Sequence, residues 1–175
     1  MYTLAFTRRY SMSHRLLSIY DSPCGVPHGH NEYVTVRLQA RRSEPLDGHA
    51  NMVTPFHAAK KRWHGWIDER VDHTLQLSDR DPLLDYFRER EPEQLDRILV
   101  TPGDPSTEVL AACFLAKINA FLEEQGGDLR CVEVAIEETP TNTVVFDGDP
   151  DLVLPTDRFP EQPWWKRPDA SINDL

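Results

Sequence analysis

The residues best suited to chemistry crowd into Cys24-Gly25-Val26-Pro27-His28-Gly29-His30, with His14 upstream in Tyr10-Ser11-Met12-Ser13-His14-Arg15-Leu16. Histidines at i and i+2 present both imidazoles on one face of an extended chain. With His14 they offer three neutral nitrogens. Three nitrogens without a fourth protein ligand make a catalytic zinc site, whose open position takes water or substrate. Cys24 admits two readings, a reactive thiolate beside the metal or the fourth ligand of a closed structural site. Spacing alone leaves both open. A His-x-His pair near a Gly/Pro turn is also an ordinary solvated loop feature.

The flanking pattern supplies elements to position these groups. Tyr33 to Ala40 alternates, with Val34, Val36, Leu38 and Ala40 on one face, so a half-buried strand is expected. His28 and His30 share that parity and would point into a helix-covered interior. Residues 2–10 suit a first strand, and 17–31, with its prolines and glycines, an irregular loop. Residues 43–54 read as polar turn. Residues 55–70 predict a helix, from the spacing of Phe56, Ala59, Trp63, Trp66 and Ile67 behind Pro55. Residues 78–103 are charged and irregular, with a short helix near 83–90. Asp104 would cap a second long helix starting at Pro105, with Leu110, Phe114, Ile118 and Leu122 as its stripe and Gly126-Gly127 as its stop. Segments 130–136 and 142–147 predict a hairpin turning near Pro140. The order β-β-α-α-β-β implies an α+β fold, a four-stranded antiparallel sheet with two helices on one face. We expect a domain over 1–148 and an extended Pro/Trp-containing arm over 149–175, partly pinned by Trp164 and Trp165.

Composition narrows the function classes. The chain has 175 residues, 39% hydrophobic and 27% charged, enough for one domain with a core. No apolar run nears the roughly 18 residues of a membrane span, and no apolar segment follows Arg8 and Arg9 as a leader would require. Three cysteines, Cys24, Cys113 and Cys131, make an odd count without a disulfide framework and fit a reducing cytoplasm. Cys113 and Cys131 read as small buried hydrophobes. A formal charge of −10 argues against a nucleic-acid partner but not against a small anionic substrate. His49, His57 and His64 lack partners in the pattern and read as surface residues.

Four segments in order carry a resemblance: His14, the run from Cys24 to His30, Val71-Asp72-His73-Thr74-Leu75, and Pro105-Ser106-Thr107-Glu108 with Ile136-Glu137-Glu138-Thr139. Together they resemble the 6-pyruvoyltetrahydropterin synthase family. The short Cys-x-x-x-His-Gly-His spacing is similar to that of its bacterial 6-carboxytetrahydropterin synthase branch, of the queuosine pathway. The resemblance covers about residues 3–148. It implies the tunnelling fold, in which subunits join sheets into an oligomeric barrel with active sites between subunits. It implies Zn2+ on His14, His28 and His30, a relay of Cys24, Asp72 and His73, and a pterin pocket of Ser106, Thr107, Glu108 and Glu138. The implied substrate is 7,8-dihydroneopterin triphosphate. The implied products are 6-carboxy-5,6,7,8-tetrahydropterin, acetaldehyde and triphosphate.

These types suit that chemistry. A thiolate beside a metal and an imidazolium can remove protons near neutral pH. A carboxylate can accept two hydrogen bonds from the 2-amino and N3–H edge of a pterin. Each assignment has a plain counterpart. Asp72-His73 could be a surface pair, Ser106 and Thr107 could serve only the helix start, and Glu137 competes with Glu138, though on a strand only one faces a pocket. The chain also departs from the family pattern. Met12-Ser13 precede His14, Pro55-Phe56 replaces Asp-Phe, and Leu77 stands where an Asn is usual. The 6-pyruvoyl product, or a non-catalytic zinc-binding assembly protein with Cys24 as ligand, are the alternatives. Arg37, Arg41, Arg42 and Lys60 are unselected candidates for the triphosphate.

Overall fold

Thr3–His14 (β1) and His28–Ala40 (β2) form the longest ladder, pairing antiparallel from Thr3 opposite Gln39 to His14 opposite His28. In this computed structural model residues 2–41, 46–155 and 157–175 are described. Of the expected turn, residues 43–45 therefore lie outside the described residues, as does Arg42. Period-two alternation sends Phe6, Tyr10, Met12 and His14 of β1, and Glu32, Val34, Val36 and Leu38 of β2, to one buried face. On that face lie Phe56–Trp66 (α1) and Thr107–Glu124 (α3), which contribute Trp63, Trp66, Leu110, Phe114, Ile118 and Phe121 to the main core.

The expected four-stranded antiparallel sheet is corrected: among the described residues six strands form a mixed sheet. Thr74–Ser78 (β3) runs parallel to the end of β1, and Ile98–Thr101 (β4) runs parallel to β3. Leu129–Thr139 (β5) and Asn142–Phe146 (β6) complete the order β4-β3-β1-β2-β5-β6. The two long helices expected, α1 and α3, do share one face; the short helix Leu83–Arg90 (α2) covers the opposite side of β3 and β4, where Leu77, Leu84, Ile98 and Val100 form a separate cluster with Phe87.

Three local outcomes differ from the pattern-based expectation. The α-helix expected through residue 70 ends at Trp66 and continues as a π turn over Ile67–Val71, closed by the Asp72 amide on the Ile67 carbonyl at 2.8 Å. Ser106, not Asp104, stands at the N-cap of α3, because the Asp104 carboxylate is already taken by the amides of Leu17 and Ser18. His64, expected at the surface, is half-buried with its ring edge against Phe6.

The segment after Gly148 begins with one short turn, Pro150–Val153 (α4), and then packs Trp164, Trp165 and Ile172 into the core. The indole of Trp164 donates to the Val100 carbonyl at 2.7 Å, and the Val100 amide donates to Ile172 at 3.1 Å, so this segment lies along the β4 edge. Lys117 of α3, fully buried, donates to the carbonyls of Trp164 and Arg167 at 2.9 and 3.0 Å.

Candidate active site

The β1–β2 register brings the histidines together. Met12 pairs with His30 and His14 with His28, on the face that alternation buries. Gly29 makes this possible: a Cβ there would sit 2.6 Å from the Met12 carbonyl, so any side chain would push β2 off β1. The ligating nitrogens of His14, His28 and His30 all lie within 4.8 Å of one another, and Cys24 is not part of that group.

Two second contacts orient the rings. His14 sets Nδ1 at 2.9 Å from the Pro105 carbonyl, and His28 sets Nδ1 at 2.9 Å from the Val26 carbonyl. Their Nε2 atoms face each other at 3.1 Å. A carbonyl behind a ring fixes its tautomer and leaves the other nitrogen as a metal ligand. Burial holds the His14 pKa below the ordinary imidazole value, against the opposing pull of the Pro105 carbonyl, which favours the neutral form that binds metals.

Cys24 sits half-buried on a tight turn, Pro23–Gly25, its amide held by the Ser22 hydroxyl at 3.1 Å and its carbonyl by the Leu16 amide at 2.8 Å. The loop thus folds back beside His14. The segment 104–107 ties the site together. Asp104 anchors the loop at Leu17 and Ser18, Pro105 holds His14, and the Thr107 hydroxyl donates to Glu138 Oε1 at 3.1 Å. Ser106 is half-buried beside Thr107, and Glu108 is exposed on the first turn of α3. Glu138 is half-buried and its neighbour Glu137 exposed, as opposite faces of a strand require.

Asp72 and His73 form a pair of their own. Asp72 Oδ2 is 2.8 Å from His73 Nδ1, and Asp72 Oδ1 accepts the Ser11 amide at 2.7 Å. Hydrogen bonds from Ser11 and His73 keep Asp72 ionised, its pKa below the usual value although partial burial opposes this. His73 has φ +63°, a left-handed conformation that a non-glycine residue adopts at a cost. Its side chain is 78% exposed. With Ser11, Ser13 and Leu75 it lines a groove of about 400 Å³ whose far wall is Phe87, Glu91, Gln94 and Arg97. Ser11 and Ser13 have the opposite parity to His14, so this groove opens on the other face of the sheet. Within one chain, among the described residues, no hydrogen bond joins the Asp72–His73 pair to the three histidines.

With this geometry in view, comparison with known proteins is decisive. A sequence profile described as 6-pyruvoyl tetrahydropterin synthase matches residues 3–149. The chain belongs to that family. Among its relatives, a protein of Halobacterium salinarum named "Probable 6-carboxy-5,6,7,8-tetrahydropterin synthase" is 30% identical over 135 residues, 77% of this chain and 79% of that one. A 6-carboxy-5,6,7,8-tetrahydropterin synthase of Bacillus subtilis is 30% identical over 123 residues, covering 70% and 69%. The chain is thus similar to enzymes of a lyase family. In fold it is similar to an uncharacterized protein of Wolinella succinogenes, with TM-score 0.66, 22% identity and coverage of 85% and 98%. It is also similar to the 6-pyruvoyl tetrahydropterin synthase of Caenorhabditis elegans, with TM-score 0.56, 22% identity and coverage of 85% and 96%.

Two features of this family member escaped sequence reasoning. Glu32, two residues after His30, is fully buried, accepts the Tyr10 hydroxyl, and has its pKa pushed up to about 7 by burial. The available signal was its parity with His28 and His30. Gln76, opposite His14 on β3, is also fully buried. Among the anion candidates, Arg37 is paired with Glu133 at 2.6 Å and Arg41 with Glu123, while Lys60 lies on α1.

Proposed function

We propose that the chain is a zinc-dependent lyase converting 7,8-dihydroneopterin triphosphate and water to 6-carboxy-5,6,7,8-tetrahydropterin, acetaldehyde and triphosphate. The observation that carries this reading is the group of buried His14 with half-buried His28 and His30, whose nitrogens lie within 4.8 Å of one another without Cys24 among them. Three rings, two of them already oriented by carbonyls, fit an ion that retains an open position. Bound there, zinc would supply Lewis-acid polarisation of substrate oxygens. Glu138, steadied by Thr107, holds the 2-amino and N3–H edge of the pterin, with Ser106 and Glu108 at the pocket mouth. The Cys24 thiolate takes a proton from the substrate side chain. Asp72 orients His73 through its Nδ1, leaving Nε2 to exchange protons.

Because the Asp72–His73 pair opens on the face opposite the histidines, we infer that a neighbouring subunit's pair serves each metal centre. The sheet has edges available for such assembly. Among the described residues of one chain, residues 3–11 of β1 pair with β2 alone and β6 with β5 alone. The names of the matched relatives favour the 6-carboxy product over the 6-pyruvoyl one. Localisation in the cytoplasm is our reading of the cysteine usage; no helix among the described residues is long and apolar enough to cross a membrane.

The test is product analysis. Zinc-loaded protein incubated with dihydroneopterin triphosphate should release acetaldehyde and a ring product with the mass of 6-carboxytetrahydropterin. A product retaining the three-carbon side chain would assign the 6-pyruvoyl reaction instead, and no turnover with a fully loaded protein would support the assembly-protein alternative.

A further inference from the structure

The loop that carries Cys24 is held rigid and turns apolar side chains outward. Asp104 accepts the amides of Leu17 and Ser18, and the Leu16 amide donates to the Cys24 carbonyl at 2.8 Å. Gly25 packs so closely on the Tyr20 carbonyl that a Cβ has no room there, which fixes Tyr20 against the residue that follows Cys24. On this backbone Ile19 is 46%, Tyr20 68% and Val26 64% exposed. Three large apolar side chains that one short, anchored loop cannot fold away make a contact surface. Asp21, beside Tyr20, is exposed too, and among the described residues its carboxylate meets no cation.

The groove of about 400 Å³ beside His73 has the complementary character. Leu75, Phe87 and Ile98 give it apolar walls, and Arg97 stands at its side. The Arg97 guanidinium donates to the Glu69 carbonyl at 3.2 Å and, among the described residues, meets no carboxylate. Glu91, the acid of the same groove, is engaged by the Tyr86 hydroxyl at 2.7 Å. A neighbour's His73 that reaches the Cys24 thiol brings this groove onto Tyr20 and Asp21. We propose that Tyr20 of one copy seats in the His73 groove of the next, with Asp21 paired to Arg97 of that copy. The contact rests on the shared-site reading above and deepens it, because it sets thiol and imidazole in register. A tyrosine suits the place: a flat apolar body with a polar tip, of the kind that anchors interfaces. Loop and groove are different surfaces, so the contact is head-to-tail and repeats around a ring until it closes.

The experiment is a charge reversal in the full-length, zinc-loaded protein, read by sedimentation across a dilution series. Asp21→Arg and Arg97→Glu should each raise the subunit dissociation constant by on the order of tenfold or more, because like charges then face each other across the contact. The double variant restores an opposite pair and should return to within about threefold of wild type. Tyr20→Ser should weaken assembly by on the order of tenfold, with zinc content and circular dichroism unchanged. If wild type is oligomeric and mixed Cys24→Ala and His73→Ala chains recover activity, while single reversals assemble as wild type or the double variant fails to restore assembly, the contact is overturned and the shared site stands. If wild type is monomeric, or mixing gives no recovery, the shared site fails and the contact falls with it. Should a reversal not fold, Tyr20→Ser at its exposed position still decides: assembly equal to wild type overturns the proposal.

Discussion

His14 and His28 bring their Nε2 atoms to 3.1 Å from separate strands, each ring backed by a carbonyl on its other nitrogen. Both rings are held by strand pairing and carbonyl contacts, and the apolar core lies elsewhere, so loss of one ring should leave the fold intact. Replacing His28 with Ala should abolish stoichiometric zinc binding while leaving the far-ultraviolet circular dichroism unchanged. A His28→Ala protein with full zinc content and full turnover would remove it from the ligand set.

Gly29 should be as important to the metal as its neighbours, without touching it. A Cβ at 2.6 Å from the Met12 carbonyl forces β2 away from β1 where His30 pairs. Gly29→Ala is expected to weaken zinc affinity by at least the 10–100-fold typical of lost ligand positioning. Competition with a chromogenic chelator measures this directly. Unchanged affinity would mean that the strands absorb the methyl group elsewhere.

His73 trades stability for position. Its left-handed backbone at φ +63° suits glycine, and its side chain is mostly exposed. His73→Gly should therefore raise stability by about 1 kcal/mol while turnover falls by about 10²–10⁴-fold. His73→Ala should lose the same turnover without the gain. Denaturant unfolding of the three proteins separates strain from chemistry.

The opposite-face placement of Asp72–His73 predicts complementation. Mixed oligomers of Cys24→Ala and His73→Ala chains should recover some activity, because a fraction of interfaces unites an intact thiol with an intact pair. A monomeric wild-type protein, or verified mixed oligomers without any recovery, would contradict shared sites.

Lys117 stitches the C-terminal segment to α3. Lys117→Met leaves the Trp164 and Arg167 carbonyls without their donor and should cost about 2 kcal/mol or more at neutral pH. Burial pulls the Lys117 pKa down to about 8 from 10.5. The folded chain therefore sheds this proton before the unfolded chain does. Its contribution to stability rises with pH between those two values, and below about 8 the buried charge is a fixed cost. Melting curves of wild type and Lys117→Met should diverge further as pH rises across that window.

What was legible in the chain follows from these particulars. The parity of His28 and His30 with Val34, Val36 and Leu38 pointed to the histidine face, because one side of β2 is buried and the other is not. β3 and β4 were hidden for the converse reason. In Thr74–Ser78, Gln76 faces the main core side and Leu77 the α2 cluster, so both faces are covered and no alternation survives. Glu32 hid as one charged residue in a strand, and the Tyr10 whose hydroxyl it accepts is distant in sequence. Asp104 looked like a cap because capping residues and loop anchors are the same residue types, and only the positions of Leu17 and Ser18 distinguish them.

The central claim is a three-histidine metal centre served by a separate thiol. Zinc content and turnover measured on one preparation of Cys24→Ala test it most directly. We expect about one zinc per chain, as in wild type, with turnover reduced by about 10²–10⁴-fold. Loss of zinc together with activity would make Cys24 a ligand of a closed site and contradict the claim.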